Sequence, residues 1–248
     1  MRKLQGTITK FNNARILDIG TGNGSFIGRL VALNNSFDEI IGIDILDSQI
    51  DIAKKNFEDK RIKFYKMDIF DNNFEEHSFD IICLSNTLHH LKDIKKTIKV
   101  MESLLKDKGI IIFSEMCSNG LNKAQKSHLM IHHFAAEIDR SFGEIHHDTF
   151  KDKEIIKKIQ ENTTLKIVDA WDMLVPPKDK TSQEELDWLN TSLDRLVLKA
   201  HDDDKEHLTK KAIIIRKHFK KHGFESASTL VVIVSSFKPF TSIKEMLR

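Results

Sequence analysis

The chain reads as an α/β protein built on a doubly wound sheet. Two observations predict this. Short apolar runs alternate with amphipathic stretches through the first half of the sequence, and polar residues gather where the runs end. A glycine-rich turn, Gly20-Thr-Gly22-Asn-Gly24, stands directly after the first run and directly before the first amphipathic stretch.

The first strand, residues 14–19, carries Asp18 at its end, and the helix after the turn sets Phe26, Ile27, Leu30 and Val31 on one face. Glycines at alternate positions let main-chain N–H groups approach a ligand that any Cβ would push away. The helix N-terminus behind them suits an anionic group. The pattern is G-x-G-x-G, and Ser25 stands where a dinucleotide fingerprint needs its third glycine. Asp18 would repel a pyrophosphate and suits an ammonium group instead. A nicotinamide dinucleotide is therefore disfavoured.

A second strand, 39–44, ends in Asp44, where a ribose-binding carboxylate belongs in such folds. The third, 62–69, closes on Asp68 and Ile69, and the fourth, 79–86, on Ser85 and Asn86. Thr87-Leu-His-His-Leu91 follows, with His89 and His90 at its centre. An amphipathic helix, 94–105, leads to a fifth strand, 108–115. The ligand crevice is expected along the C-terminal strand ends.

These motifs together resemble the class I S-adenosylmethionine-dependent methyltransferases, of the small-molecule type with a Leu-His-His-Leu stretch after the fourth strand. The resemblance covers roughly residues 10–118. It implies a Rossmann-like sheet of seven strands with helical insertions, the sixth strand falling at 165–174 and an antiparallel seventh at 229–237. It also implies roles. Asp18, Gly20, Gly22 and Gly24 would surround the methionine part of S-adenosylmethionine, Asp44 the ribose hydroxyls, Asp68 and the Ile69 main chain the adenine. The backbone at Ser85 would face the sulfonium.

Composition sets limits consistent with a single domain over residues 1–248. The net charge of +2 favours neither nucleic acid nor an acidic partner. The two cysteines, Cys83 and Cys117, read as small core residues of a reducing compartment. No apolar run has the length of a membrane span, and the N-terminus lacks a signal core. A cytoplasmic protein is expected. Abundant Lys, Ile and Asn with only three prolines points to an AT-rich bacterial genome.

Residues 119–163 are expected to form a helical cover over the active site, as the segment after the fifth strand does in the family. Its first helix, 121–142, closes at Gly143. Five of the twelve histidines fall at 128–147: His128, His132, His133, His146 and His147. His128 with His132, and His133 with Glu137, are i,i+4 neighbours. Three readings stay open. One stripe with His146 or His147 offers metal ligands of the right type; a histidine serves as general base without metal; or the imidazoles are structural. The spacing matches no tight zinc signature, so no metal is assigned. The candidate catalytic residues are His89, His90, His133 and Glu137. Thr149-Phe-Lys-Asp152 has the form of a capping box for the next helix.

Pro176-Pro177 is expected to end the sixth strand. Two helices, about 183–199 and 204–222, then make an insertion at 176–222 where the family has a hairpin. It reads as a lid or a homodimerisation arm. The second helix is basic, with Lys205, Lys210, Lys211, Arg216, Lys217, Lys220 and Lys221. This admits an RNA methyltransferase as an alternative, although Ser85-Asn86-Thr87-Leu88 lacks the motif used on base amines and Met116 replaces the proline expected before a cytosine-attacking Cys117. A cofactor-binding module without catalysis is the other alternative.

Overall fold

The computed structural model of the chain describes residues 1–173 and 181–236. In chain order the elements are α1 (Arg2–Ile8), β1 (Ala14–Ile19), α2 (Ser25–Leu33), β2 (Phe37–Asp44), α3 (Asp47–Asn56), β3 (Ile62–Lys66), β4 (Phe79–Ser85), α4 (Ile94–Leu104), β5 (Leu105–Met116), α5 (Lys123–Ser141), α6 (Asp152–Asn162), β6 (Lys166–Met173), α7 (Gln183–Lys199), α8 (Lys205–His222) and β7 (Thr229–Ser235). The seven strands form one sheet in the order β3-β2-β1-β4-β5-β7-β6. All neighbours up to β5 run parallel, and β7 is antiparallel to both β5 and β6. The expected Rossmann-like sheet is therefore present. Of the sequence expectations, Leu174, Pro176-Pro177 and Phe237 lie outside the described residues.

Strand alternation divides the core between the two faces. Leu17, Ile19, Ile41, Ile43, Ile82, Leu84, Ile111 and Phe113 point to one face and pack with Ile98 and Met101 of α4 and Ile155 and Ile159 of α6. Ile16, Ile40, Ile81, Cys83, Ile110 and Ile112 point to the other and meet α1, α2 and α3 through Leu4, Phe26, Ile27, Leu30 and Ile50. Such buried side chains each contribute about 1.5–3 kcal/mol. β1 sits between β2 and β4, where strand order reverses, so the turn after β1 opens into a crevice at the C-terminal edge.

A third apolar core lies off the sheet. Phe134 and Ile138 of α5, Leu189 and Leu193 of α7, and Leu208, Ala212, Ile215 and Phe219 of α8 are all buried against one another. Of the expected cover only α5 joins the insertion in one helical cap, because α6 packs on the sheet through Ile155 and Ile159. Asn122 and Gln125 form a reciprocal capping box that starts α5. Its end is a Schellman motif, with the Gly143 N–H donating to Arg140 O, the Glu144 N–H to Asp139 O, and Gly143 at φ +80°. The capping box expected at Thr149 does not form. Thr149 is buried against His133, and Glu154 accepts the Lys151 N–H at the start of α6 instead.

Candidate functional site

The crevice begins at the glycine turn, where all three glycines have positive φ: +66° at Gly20, +54° at Gly22 and +83° at Gly24. Their surroundings differ. A Cβ on Gly20 would stand 2.5 Å from Thr87 Cγ2, and one on Gly24 would stand 2.6 Å from Phe57. Over Gly22 the nearest atom is Gln49 Oε1 at 3.9 Å. So Gly20 and Gly24 are required by neighbouring side chains, while a Cβ at Gly22 would make only an ordinary contact, with the flexible end of Gln49.

Two carboxylates flank that turn. Asp44 Oδ2 accepts the Gly22 N–H at 2.9 Å and Oδ1 accepts the Leu46 N–H at 3.0 Å, which fixes the carboxylate at the end of β2 with lone pairs to spare. Asp18 is buried at the end of β1, and its Oδ2 accepts the Thr21 hydroxyl at 2.7 Å. Its Oδ1 is buried without a partner among the described residues. Burial pushes the Asp18 carboxyl up to about 7, against the lowering effect of the Thr21 hydrogen bond and helped by the Asp44 charge. An ammonium group would relieve that burden. Asp68 caps the following turn by accepting the Phe70 N–H at 2.9 Å and stays exposed, whereas Ile69 is buried. These residues suit S-adenosylmethionine: an orphaned buried carboxylate for its ammonium, a glycine turn, and a strand-end acid for its ribose. Ser85 is half-buried at the end of β4, its carbonyl accepting the Thr87 hydroxyl at 2.9 Å.

Beyond Thr87 the backbone turns around one buried acid. Glu115 Oε1, at the end of β5, accepts the N–H groups of Thr87 and Leu88, both at 2.7 Å. Its Oε2 accepts from His89 Nδ1 at 2.9 Å. The His147 N–H donates to the His89 carbonyl and ties the loop after α5 to the same turn. His146, buried in that loop, donates from Nδ1 to Asp139 Oδ2 at 2.8 Å, and Lys199 donates to Asp139 Oδ1 at 2.7 Å. Burial works against the Asp139 carboxylate, but Lys199 and His146 bring it below its ordinary range.

His132 of α5 completes a triangle with His89 and His146. Ring centroids lie 4.9 Å apart for His89 and His132, 4.9 Å for His132 and His146, and 5.4 Å for His89 and His146. His89 Nε2, His132 Nδ1 and His146 Nε2 are all buried without a hydrogen-bond partner among the described residues. Leaving one such atom unpaired costs about 1–3 kcal/mol. Burial, then the neighbouring imidazoles, push His132 down to about 2, and burial outweighs Asp139 in holding His146 below its ordinary value. Burial thus favours the neutral form of both rings. His90 stands exposed at the rim, its ring 4.1 Å from that of His146.

The four candidate catalytic residues therefore separate. His89 is buried against Glu115, and His90 stands exposed beside it, their ring centroids 4.4 Å apart. His133 turns to Thr149, which meets its Nε2 through the hydroxyl at 2.9 Å and the N–H at 3.2 Å. Glu137 is not brought to His133. It is held by Lys211 and His207 of α8, which lower its carboxyl against the opposing effect of burial. His128 accepts the Ala227 N–H at 3.0 Å and serves to anchor α5 to the chain entering β7. Sequence reasoning assigned no role to Glu115 or Asp139, and it offered His132 and His146 only as members of an open metal reading that paired them with His128 or His147. The signal available for Glu115 was its place at the end of the fifth strand.

Comparison with known proteins accords with this geometry. A family model described as a methyltransferase domain matches residues 10–192. Over 132 residues the chain is 31% identical to the highly reducing polyketide synthase PKS2 of Leptosphaeria maculans, covering 46% of this chain and 5% of that one. It is 29% identical over 119 residues to fumosorinone synthetase of Cordyceps fumosorosea, covering 45% of this chain and 3% of that one. The chain thus spans only 3–5% of the length of these curated relatives. The fold is also that of a SAM-dependent methyltransferase from Thiobacillus denitrificans solved with S-adenosyl-L-homocysteine, at a TM-score of 0.58 and 15% identity, over 95% of this chain and 90% of that one. With the family model spanning well over half of its length, this chain belongs to the class I, S-adenosylmethionine-dependent methyltransferases.

Proposed function

We propose that the chain methylates a small molecule by in-line displacement at an oxygen, nitrogen, carbon or sulfur acceptor. The observation that carries this reading is the glycine turn after β1, where Asp44 accepts the Gly22 N–H and the buried Asp18 keeps one carboxylate oxygen without a partner among the described residues. Bound S-adenosylmethionine supplies an electrophilic methyl group. The protein's part is positioning, which is worth about 7 kcal/mol or more where the reacting atoms are well aligned. Asp18 would take the ammonium end, Asp44 the ribose hydroxyls, Asp68 and the Ile69 main chain the adenine, and the Ser85 backbone would border the reacting end. Thr87 and Glu115 hold the turn that carries His89 and His90 at that end. The role expected of the cap is to exclude water from the acceptor.

A small acceptor is favoured over RNA by the state of α8. Lys205, Lys210, Lys211 and Arg216 are engaged by Asp202, Glu206, Glu137 and Asp194, which leaves less of a continuous basic face than the sequence suggests. The exposed Trp188, Leu198 and Ile214 on α7 and α8 support association of two copies through the insertion. Among the described residues no helix is long and apolar enough to cross a membrane. Titration with S-adenosylhomocysteine by calorimetry tests the cofactor assignment, and methyl transfer to candidate acceptors tests the rest. Absence of binding would overturn the reading.

A further inference from the structure

Positioning of cofactor and acceptor leaves one feature of the crevice without a task, the triangle of buried imidazoles. We propose that His89, His132 and His146 bind a single divalent transition-metal ion of the zinc class, with one coordination position left for the acceptor.

Three observations converge. First, one ligating nitrogen from each residue lies within 4.8 Å of the other two. Nitrogens bound at 2.0–2.1 Å to a tetrahedral ion would sit about 3.4 Å apart, so the rings need to close by roughly an ångström. Second, each residue has a buried nitrogen with no partner among the described residues: Nε2 of His89, Nδ1 of His132 and Nε2 of His146. Third, the opposite nitrogens of His89 and His146 are backed by Glu115 and Asp139, at 2.9 and 2.8 Å. A carboxylate accepting the Nδ1 proton leaves the Nε2 lone pair free and aims it, which is the arrangement found around metal-ligating histidines.

The donor set decides the class of ion. Three imidazoles with no carboxylate among them suit zinc and its neighbours, not magnesium or calcium, which take oxygen ligands. Three protein ligands leave a fourth position open, as catalytic rather than structural zinc sites do. The site also has the right place. His89 lies two residues beyond Thr87, whose side chain packs on Gly20. An acceptor oxygen on the ion would lose its proton at lower pH than in water and stand near the glycine turn. That role rests on the methyl-transfer reading, whereas the site itself does not. Water is the competing occupant, donating to two of the nitrogens and accepting from the third.

The test uses the full chain without an affinity tag, stripped with chelator and titrated with zinc and then with cobalt. One equivalent of zinc is expected to bind, and cobalt is expected to give the intense visible absorption of a four-coordinate ion. His132→Ala and His146→Ala should each lose stoichiometric uptake. Asp139→Asn should weaken it about 10–100-fold, as loss of an outer carboxylate does, and His207→Ala on the far side of the cap should leave it unchanged. S-adenosylhomocysteine affinity and thermal unfolding of each variant report that it is folded. No stoichiometric binding, or binding that survives both His132→Ala and His146→Ala, would overturn the site. A protein that takes up zinc but not S-adenosylhomocysteine would overturn the methyl-transfer reading and leave the metal site standing.

Discussion

Glu115 and His89 form a buried pair, the carboxylate Oε2 2.9 Å from the imidazole Nδ1 and both side chains 1% exposed. The same carboxylate satisfies two main-chain N–H groups of the turn after β4. One acid at the end of β5 thus sets the shape of the turn from Thr87 to His89.

Glu115→Ala is expected to destabilise the protein by about 3–5 kcal/mol, because it leaves two N–H groups and an imidazole N–H buried without acceptors. Glu115→Gln keeps an acceptor oxygen for the backbone and should cost clearly less. Chemical denaturation of both variants measures the difference. Equal losses would show that the backbone contacts are not what Glu115 stabilises.

Asp18 should make cofactor affinity depend on pH. Its folded carboxyl titrates at about 7, against about 3.8 in the unfolded chain. Because the folded value is raised, the free protein carries no penalty below pH 4, an increasing one from there to pH 7, and a constant one above, of about 4 kcal/mol at most. An ammonium ligand needs the ionised form. S-adenosylhomocysteine should therefore bind more tightly at pH 8 than at pH 6, with proton release near pH 6.5, as calorimetry in buffers of different ionisation enthalpy would read. Asp18→Asn should stabilise the free protein at pH 8, weaken the ligand and abolish the pH dependence.

Gly20 and Gly22 should respond differently to alanine. At Gly20 the added methyl meets the Thr87 side chain, so Gly20→Ala should lower the unfolding temperature, and the double variant with Thr87→Ala should recover part of the loss. At Gly22 the added methyl makes only an ordinary contact with Gln49, so Gly22→Ala costs mainly the left-handed backbone strain, about 1–2 kcal/mol. Its main effect should fall on ligand affinity. If Gly22→Ala binds S-adenosylhomocysteine as the parent does, the turn at Gly22 is not the cofactor site.

Asp44→Ala should weaken the ligand by about 1–3 kcal/mol through lost hydrogen bonds. Since Asp44 also accepts the Gly22 N–H, part of that loss belongs to the turn. Asp44→Asn keeps one acceptor oxygen for the turn and sets its amide against the other N–H, so thermal unfolding and calorimetry read side by side apportion the loss.

The fold was legible because its signals are local. Short apolar strands, polar strand ends and the turn at Gly20 to Gly24 each declare themselves within a few residues, whereas the sixth and the antiparallel seventh strand came from the resemblance alone. Asp18 and Asp44 were legible for the same reason, being fixed by distance from the glycines. The histidine triangle was not. It joins the turn after β4, the middle of α5 and the loop beyond α5, and only packing of the cap on the sheet brings them together. Likewise the i,i+4 spacing placed Glu137 beside His133, but α8 lies against that face and supplies Lys211 and His207. Spacing along a helix cannot say which neighbour will cover it.

Calorimetric titration of the purified chain with S-adenosylhomocysteine at pH 8 is the most direct test of the methyltransferase pocket. The account predicts one site of micromolar affinity, weakened by Asp44→Asn and by Gly22→Ala. No heat of binding from a folded protein, or binding indifferent to both substitutions, would contradict it.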